Sequence, residues 1–222
     1  MSSHARNRLT REESHLQTRS RLLAAAQKEI ARRGISAASV RNISEAAGFS
    51  QGAFYSNFQS KQAMLLALME EHMQQEAVAF HEIIEATAPD DLEETLLEIA
   101  GWLKTLQADR SWSMLALELQ MHANRNPDFA AKYDESKSFI QTEFAKGFAL
   151  LFDRHHLAPK LDPLQMAIGF NALWSGFAIQ GTVASAQPAD EVVLIFLKAL
   201  IDSADPKRAD EEMAAAAGGA AG

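Results

Sequence analysis

The 222-residue chain contains no cysteine. Disulfides and thiolate metal centres are thereby excluded, a composition that fits a reducing compartment. It also lacks any stretch of sustained apolar/polar alternation rich in β-branched residues, so strands have no good candidate. No apolar run is long enough to span a bilayer. The most apolar segment, "MAIGFNALWSGFAI" (166–179), is short and carries Asn171 and Ser175. The opening "MSSHARNRLTREESH" is polar and basic, with no apolar h-region, so no secretory signal is expected. A soluble cytoplasmic protein without membrane contact is the expectation. Hydrophobic residues at 47% and charged residues at 23% are ordinary for a globular chain long enough to bury a core.

Tyrosine is scarce as well, with 2 residues beside 12 Phe. The segment "GFSQGAFYSNFQSK" (48–61) nevertheless holds Phe49, Phe54, Tyr55 and Phe58. Charge is unevenly spread too. The net charge is −8, yet residues 1–62 carry ten Lys and Arg against four acids. The remainder carries 11 basic and 25 acidic residues. A basic head on an acidic body suits a polyanionic partner, although uneven charge is also common on solvated surfaces.

The chain reads as an all-α protein of about nine helices. Leu16, Leu23 and Ile30, with Leu22 and Ala26 beside them, make one apolar face of a helix over about 14–33, and Gly34 stands where it should end. Ser39 caps a short helix whose inward side is Val40, Ile43 and Ala47, and Gly48 stops it. Ser50 caps the next, over 51–57, and Ser60 a long one toward Thr87. Pro89 with Asp90 and Asp91 opens a fifth helix, to about Leu106. A sixth spans about 112–124, and Pro127 opens a seventh, to about His155. Pro163 and Pro188 open the last two, over about 163–183 and 188–203. The tail "AAAAGGAAG" has no periodic face and is expected to be disordered. The expected domains are a flexible basic arm (1–13), a three-helix head (14–60), a helical body (61–204) and a tail (205–222).

Two short helices joined by "GFS" match a helix-turn-helix. Gly48 supplies the unusual φ of the turn, Ala46 and Ala47 the small residues of the crossing, and Phe49 a pin to the core. Phe54 and Phe58, four residues apart, form the one face that holds the second helix. The remaining residues, Gln51, Gly52, Ala53, Tyr55 and Ser56, are small or polar and suit a major groove.

The stretch "GISAASVRNISEAAGFSQGAFYSNFQSKQAML" resembles the DNA-binding region of the TetR family of bacterial transcriptional regulators. The resemblance runs from about Leu22 to Leu68. It implies that Ser39 and Arg41 contact phosphate, Arg41 also reaching toward a base edge. It further implies that Ser50, Gln51, Gly52 and Ala53 face bases or the nearest phosphate, and that Tyr55 and Lys61 meet phosphates. Asn57 stands where the family often has His. Arg6, Arg8 and Arg11 would follow the backbone or minor groove. Only Gln51 and Arg41 have side chains suited to bidentate base reading.

The ninth helix, with Val192, Val193, Ile195, Phe196, Leu197 and Leu200, is apolar nearly all round, which points to burial on every side. The resemblance implies a homodimer through the last two helices, with Phe170, Leu173, Phe177, Val193, Phe196, Leu197 and Leu200 at the interface. The alternative is a core helix of a monomer. Two heads one helical turn apart would read a palindromic duplex. The family also implies a small-molecule effector site in the body. Its candidate lining is Trp102, Leu106, Met114, Leu117, Met121, Phe144, Phe148, Asn171 and Trp174, with His122 as a further polar group. Such residues at helical spacing are equally a plain core. The Met and Trp content favours an apolar or aromatic effector.

No metal site or cofactor is expected. His155-His156 are sequence neighbours that point apart on a helix, His81-Glu82 has no second His at HExxH spacing, and "GFAIQGT" lacks the lysine of a phosphate loop. No nucleophile–base constellation is visible, so an enzyme is not expected. Two readings remain. One is a ligand-responsive DNA-binding regulator, most often a repressor in this family. The other is a helical dimeric ligand-binding or interaction protein that keeps the head without regulating DNA.

Overall fold

The computed structural model describes residues 10–89, 91–108, 110–180 and 188–207, with the backbone alone at 110, 111, 113, 114 and 178–180. The arm up to residue 9, the expected end of the eighth helix at 181–183 and the tail from 208 lie outside the described residues.

The described residues form nine helices: α1 Arg11–Ala37, α2 Val40–Ala47, α3 Gln51–Asn57, α4 Lys61–Ala86, α5 Leu92–Ala108, α6 Arg110–Arg125, α7 Pro127–Arg154, α8 Pro163–Gln180 and α9 Ala189–Asp202. Two two-residue strands, β1 Leu157–Ala158 and β2 Asp205–Pro206, pair antiparallel. Strands this short cannot display alternation, so their sequences gave no signal. The fold is all-α. No described helix is long and apolar enough to cross a membrane.

Two compact units are present. One holds the residues up to Glu71 together with Met114–Tyr133, and the other holds His72–Ser113 and the residues from Asp134 onward. Most of α6 and the start of α7 therefore group with the helices of the head.

In the first unit, α1 starts three residues earlier than its apolar periodicity suggests. Thr10 Oγ1 accepts from the Glu13 N–H at 3.1 Å, and the Glu13 carboxylate accepts from the Thr10 N–H at 2.7 Å. This capping box satisfies two backbone donors at the helix start, and its bonds to Thr10 lower the Glu13 pKa. Gly34 leaves helical geometry at φ 77°, ψ 161°. The core of the unit includes Leu22, Leu23, Ala26, Ile30, Ile35, Ile43, Ala47, Phe54, Phe58, Met64 and Leu65. Leu16 is not part of it. It lies 59% exposed near the start of α1, so the expected apolar face begins at Leu22.

The second unit ties helix ends together with polar contacts. Thr87 and Thr95 share a buried hydroxyl–hydroxyl hydrogen bond of 2.7 Å, and Arg154 donates to the Thr87 carbonyl at 2.6 Å. The carbonyls left over at the end of α4 thus find a donor from α7. His155, expected at a solvated helix end, is half-buried with Nε2 3.2 Å from the Thr95 hydroxyl.

Candidate nucleic-acid interface

The helix-turn-helix is built by capping. Ser39 Oγ accepts from the Asn42 N–H at 3.1 Å, and Ser50 Oγ accepts from the Ala53 N–H at 3.2 Å. Each serine satisfies a donor that its short helix leaves open. Between them Gly48 takes the left-handed conformation, φ 75°, ψ 30°, which costs a residue with a Cβ about 1 kcal/mol or more. Ala47 is buried at the crossing, but Ala46 is exposed and plays no part in it. Phe54 and Phe58 are fully buried and contact each other, centroids 5.5 Å apart.

That burial leaves an outward surface. Ser39, Arg41, Ser50, Gln51, Gly52 and Tyr55 are exposed, and Ala53 is half-buried. Tyr55 is 57% exposed, its ring edge-on to Phe54. Arg41 pairs with Glu45 on its own helix at 2.8 Å. That hydrogen bond, then the attraction of the carboxylate, raises the guanidinium pKa. An exposed pair of this kind holds its partner weakly and can exchange it for a phosphate.

Two expected contact residues point elsewhere. The Asn57 amide donates to the Ala53 carbonyl at 2.8 Å, and its half-buried side chain folds back on α3. Lys61 turns its ammonium inward onto the Ile35 carbonyl, and burial lowers its pKa. This placement is at odds with a phosphate contact through the Lys61 side chain. Phe49 is also less of a pin than its position suggests. It is half-buried, with the Arg21 guanidinium 4.7 Å above its ring.

Arg21 and Arg19 are residues that sequence reasoning passed over. Arg21 donates to the Ala47 carbonyl at 2.9 Å, closing the end of α2 beside Gly48. Arg19 lies 4.6 Å from the Phe58 ring. Both make cation–π contacts, Arg21 at the turn and Arg19 at the end of α3. Their partners lie 26 or more residues on, so no local pattern announces them.

In the second unit, five aromatic rings meet. Phe80 lies 5.3 Å from Trp102, 5.2 Å from Phe148 and 6.1 Å from Phe144. Phe170 stacks on Trp102 at 6.1 Å with 6° between planes. Trp102 Nε1 donates to Glu76 at 2.9 Å. Three expected effector residues, Trp102, Phe144 and Phe148, are therefore brought together. Phe170, expected at a dimer interface, packs among them. Leu106, Asn171 and Trp174 are half-buried in the same unit. Leu117 and the 40%-exposed Met121 belong to the first unit, and the Met114 side chain is outside the described residues.

Helix α9 is not buried on every side. Val193, Leu197 and Ile201 face the chain's own core, and α9 packs on α5 and α8. The assignment of Val193 and Leu197 to a subunit interface is corrected accordingly. The open apolar face is Ile195 (58% exposed) and Phe196 (50%), with Leu164 and Ile168 exposed on α8. Leu173, Phe177 and Leu200 are half-buried.

Residues 22–68 match the family of bacterial regulatory proteins of tetR type, and residues 92–206 match the C-terminal domain of BetI-type transcriptional repressors. The chain belongs to the TetR family. It is a DNA-binding transcriptional regulator of that family. A curated relative is the HTH-type transcriptional repressor AcnR of Corynebacterium efficiens, 24% identical over 177 residues, covering 79% of this chain and 88% of AcnR. Solved TetR-like structures share the fold. FadR of Bacillus subtilis in complex with stearoyl-CoA superposes with a TM-score of 0.63 at 21% identity, covering 82% of this chain and 97% of FadR. A regulator from Saccharomonospora viridis in complex with choline gives a TM-score of 0.61 at 19% identity, covering 86% of this chain and 99% of that one. Within this TetR-family chain, Ser39, Ser50, Gln51 and Tyr55 are exposed on the head, whereas Asn57 and Lys61 are engaged inside it.

Proposed function

We propose that this regulator is a cytoplasmic homodimeric repressor that binds a palindromic duplex and is released by a small apolar or aromatic effector. Ser39, Arg41, Ser50 and Tyr55 position the head on phosphates, while Gln51, Gly52 and Ala53 meet the bases. The observation that carries the reading is the pairing of a fully buried Phe54–Phe58 face with an exposed, small and polar opposite face on α3. The exposed Ile168, Ile195 and Phe196 supply the surface on which a second subunit packs. The Phe80–Trp102–Phe144–Phe148–Phe170 cluster supports an apolar or aromatic ligand, which must favour the released state to shift it.

Selection from a pool of random duplexes, followed by anisotropy titrations, tests this. The expected outcome is a two-fold symmetric site bound by a dimer, with affinity falling steeply as salt rises. Failure to bind any duplex at low salt overturns it and returns the protein to the interaction class. Effector class is read from quenching of tryptophan fluorescence by candidate aromatic ligands, together with loss of the bound duplex.

A further inference from the structure

The backbone of Ile35 stands where the end of α1, the start of α4 and helix α6 meet in the first unit. At Gly34 the backbone leaves the helix, so the Ile35 N–H loses the carbonyl four residues back. Ile35 is 3% exposed, so water does not replace that partner. Glu118 of α6 does, its Oε2 accepting from the Ile35 N–H at 3.3 Å. Its two carboxylate oxygens lie 3.5 and 3.6 Å from where a Cβ on residue 34 would stand. On the other side, the Ile35 carbonyl accepts from Lys61 Nζ, the first residue of α4. A carboxylate at the N–H end and an ammonium at the C=O end both lie favourably along the dipole of these peptide groups. One turn beyond Glu118, His122 has its pKa lowered, by burial first and then by the charge of Lys61.

The geometry points to a clamp in which Glu118 and Lys61 grip the backbone N–H and C=O of Ile35 and thereby set the placement of the DNA-reading helices. Ile35 lies four residues before Ser39, the cap of α2, and α2 packs on α3. Holding this residue fixes where the α2–α3 pair begins. Glu118 and Lys61 are positioning residues, and Lys61 supports operator affinity without neutralising a phosphate. The inference rests on the DNA-binding reading above.

The test uses the full chain and the duplex it selects most tightly, with Glu118→Leu, Glu118→Gln, Lys61→Met and the Glu118→Leu/Lys61→Met pair. Glu118→Leu and Lys61→Met should each weaken binding about tenfold, the effect of one charge-assisted hydrogen bond. Glu118→Gln, which keeps an acceptor, should stay near wild type. The double variant should fall short of the product of the single losses, because both act on the backbone of one residue. In Lys61→Met the slope of log affinity against log salt should be unchanged, whereas loss of a phosphate contact would flatten it by about 0.9. Amide hydrogen exchange gives a readout without DNA: Ile35 should lose protection in Glu118→Leu and keep it in Glu118→Gln. A flattened salt slope in Lys61→Met, wild-type affinity in Glu118→Leu, or unchanged Ile35 protection overturns the clamp. If wild type selects no duplex, the DNA-binding reading fails, and the exchange result still decides whether the Glu118 contact exists.

Discussion

Gly147 sits in the middle of α7, where a glycine ordinarily weakens a helix by about 1 kcal/mol relative to alanine. Replacement by alanine would therefore be expected to stabilise the protein, were it not for Phe80. A Cβ at residue 147 would stand 2.6 Å from Phe80 Cδ1 and 2.8 Å from Cε1. The ring has nowhere to retreat. It is 1% exposed and hemmed in by Trp102, Phe144 and Phe148. Overpacking a filled core costs about 1–3 kcal/mol, and a clash this deep into a ring belongs at the upper end. The strain outweighs the helix gain, leaving Gly147→Ala destabilised by about 1–2 kcal/mol. At this chain length that is a fall in Tm of about 2–8 °C. Gly101 provides the internal control. It lies within α5, is exposed, and an added Cβ meets nothing within 4 Å. Gly101→Ala should raise Tm by about 1–4 °C through helix propensity alone. Thermal unfolding followed by far-UV circular dichroism measures both. If the two variants shift Tm in the same direction, the account of Phe80 as an immovable neighbour is wrong.

Tyr55→Phe should weaken binding to all duplexes alike, by about tenfold for one hydrogen bond to a charged phosphate, with base preference unchanged in a selection experiment. Gln51→Ala should change preference at one position per half-site, and an unaltered selected sequence would remove Gln51 from the readers. Phe196→Glu should yield monomers in sedimentation velocity and lose tight operator binding; a wild-type sedimentation profile would place the interface elsewhere. His122 has its pKa lowered below the ordinary 6.5 by burial and then by Lys61, so the unfolded chain binds the extra proton more readily. The His122 contribution to stability is accordingly present above pH 6.5 and declines as pH falls below it, a decline that His122→Gln should remove from the pH dependence of urea midpoints.

The helix-turn-helix was legible because its determinants are local. Ser39, Ser50 and Ser60 each cap a helix three residues before the amide they accept from, and Gly48 marks the turn from its own position. The capping box at Thr10 was equally local, with Glu13 at the right spacing, yet the apolar period that begins later drew the boundary inward. What could not be read were choices between faces. The apolar residues of α9 do not state which of them α5 will cover, so Val193 and Leu197 looked the same as Phe196. Phe170 was likewise indistinguishable from an interface residue until Trp102 was placed beside it.

Lys61 shows how the same limit acts on charge. A lysine opening a helix behind a DNA-reading motif suits a phosphate, and nothing within ten residues argues otherwise. Its partner is a carbonyl 26 residues earlier, made available because α1 ends at Ala37, before residue 39 can donate to it. The N–H of the same residue, Ile35, is taken by Glu118, 83 residues later in the chain. A buried residue whose N–H and C=O both lack helical partners must find both a donor and an acceptor. Here the two come from separate helices and carry opposite charges. The basic surplus of the head is thus not all directed at a polyanion: Arg19 and Arg21 lie over Phe58 and Phe49, and Lys61 holds backbone. What faces outward near the recognition helix is mostly neutral, with Arg41 the exposed cation among the residues assigned to DNA. Removing Lys61 or Arg21 should therefore disturb the shape of the reading surface before it disturbs its charge.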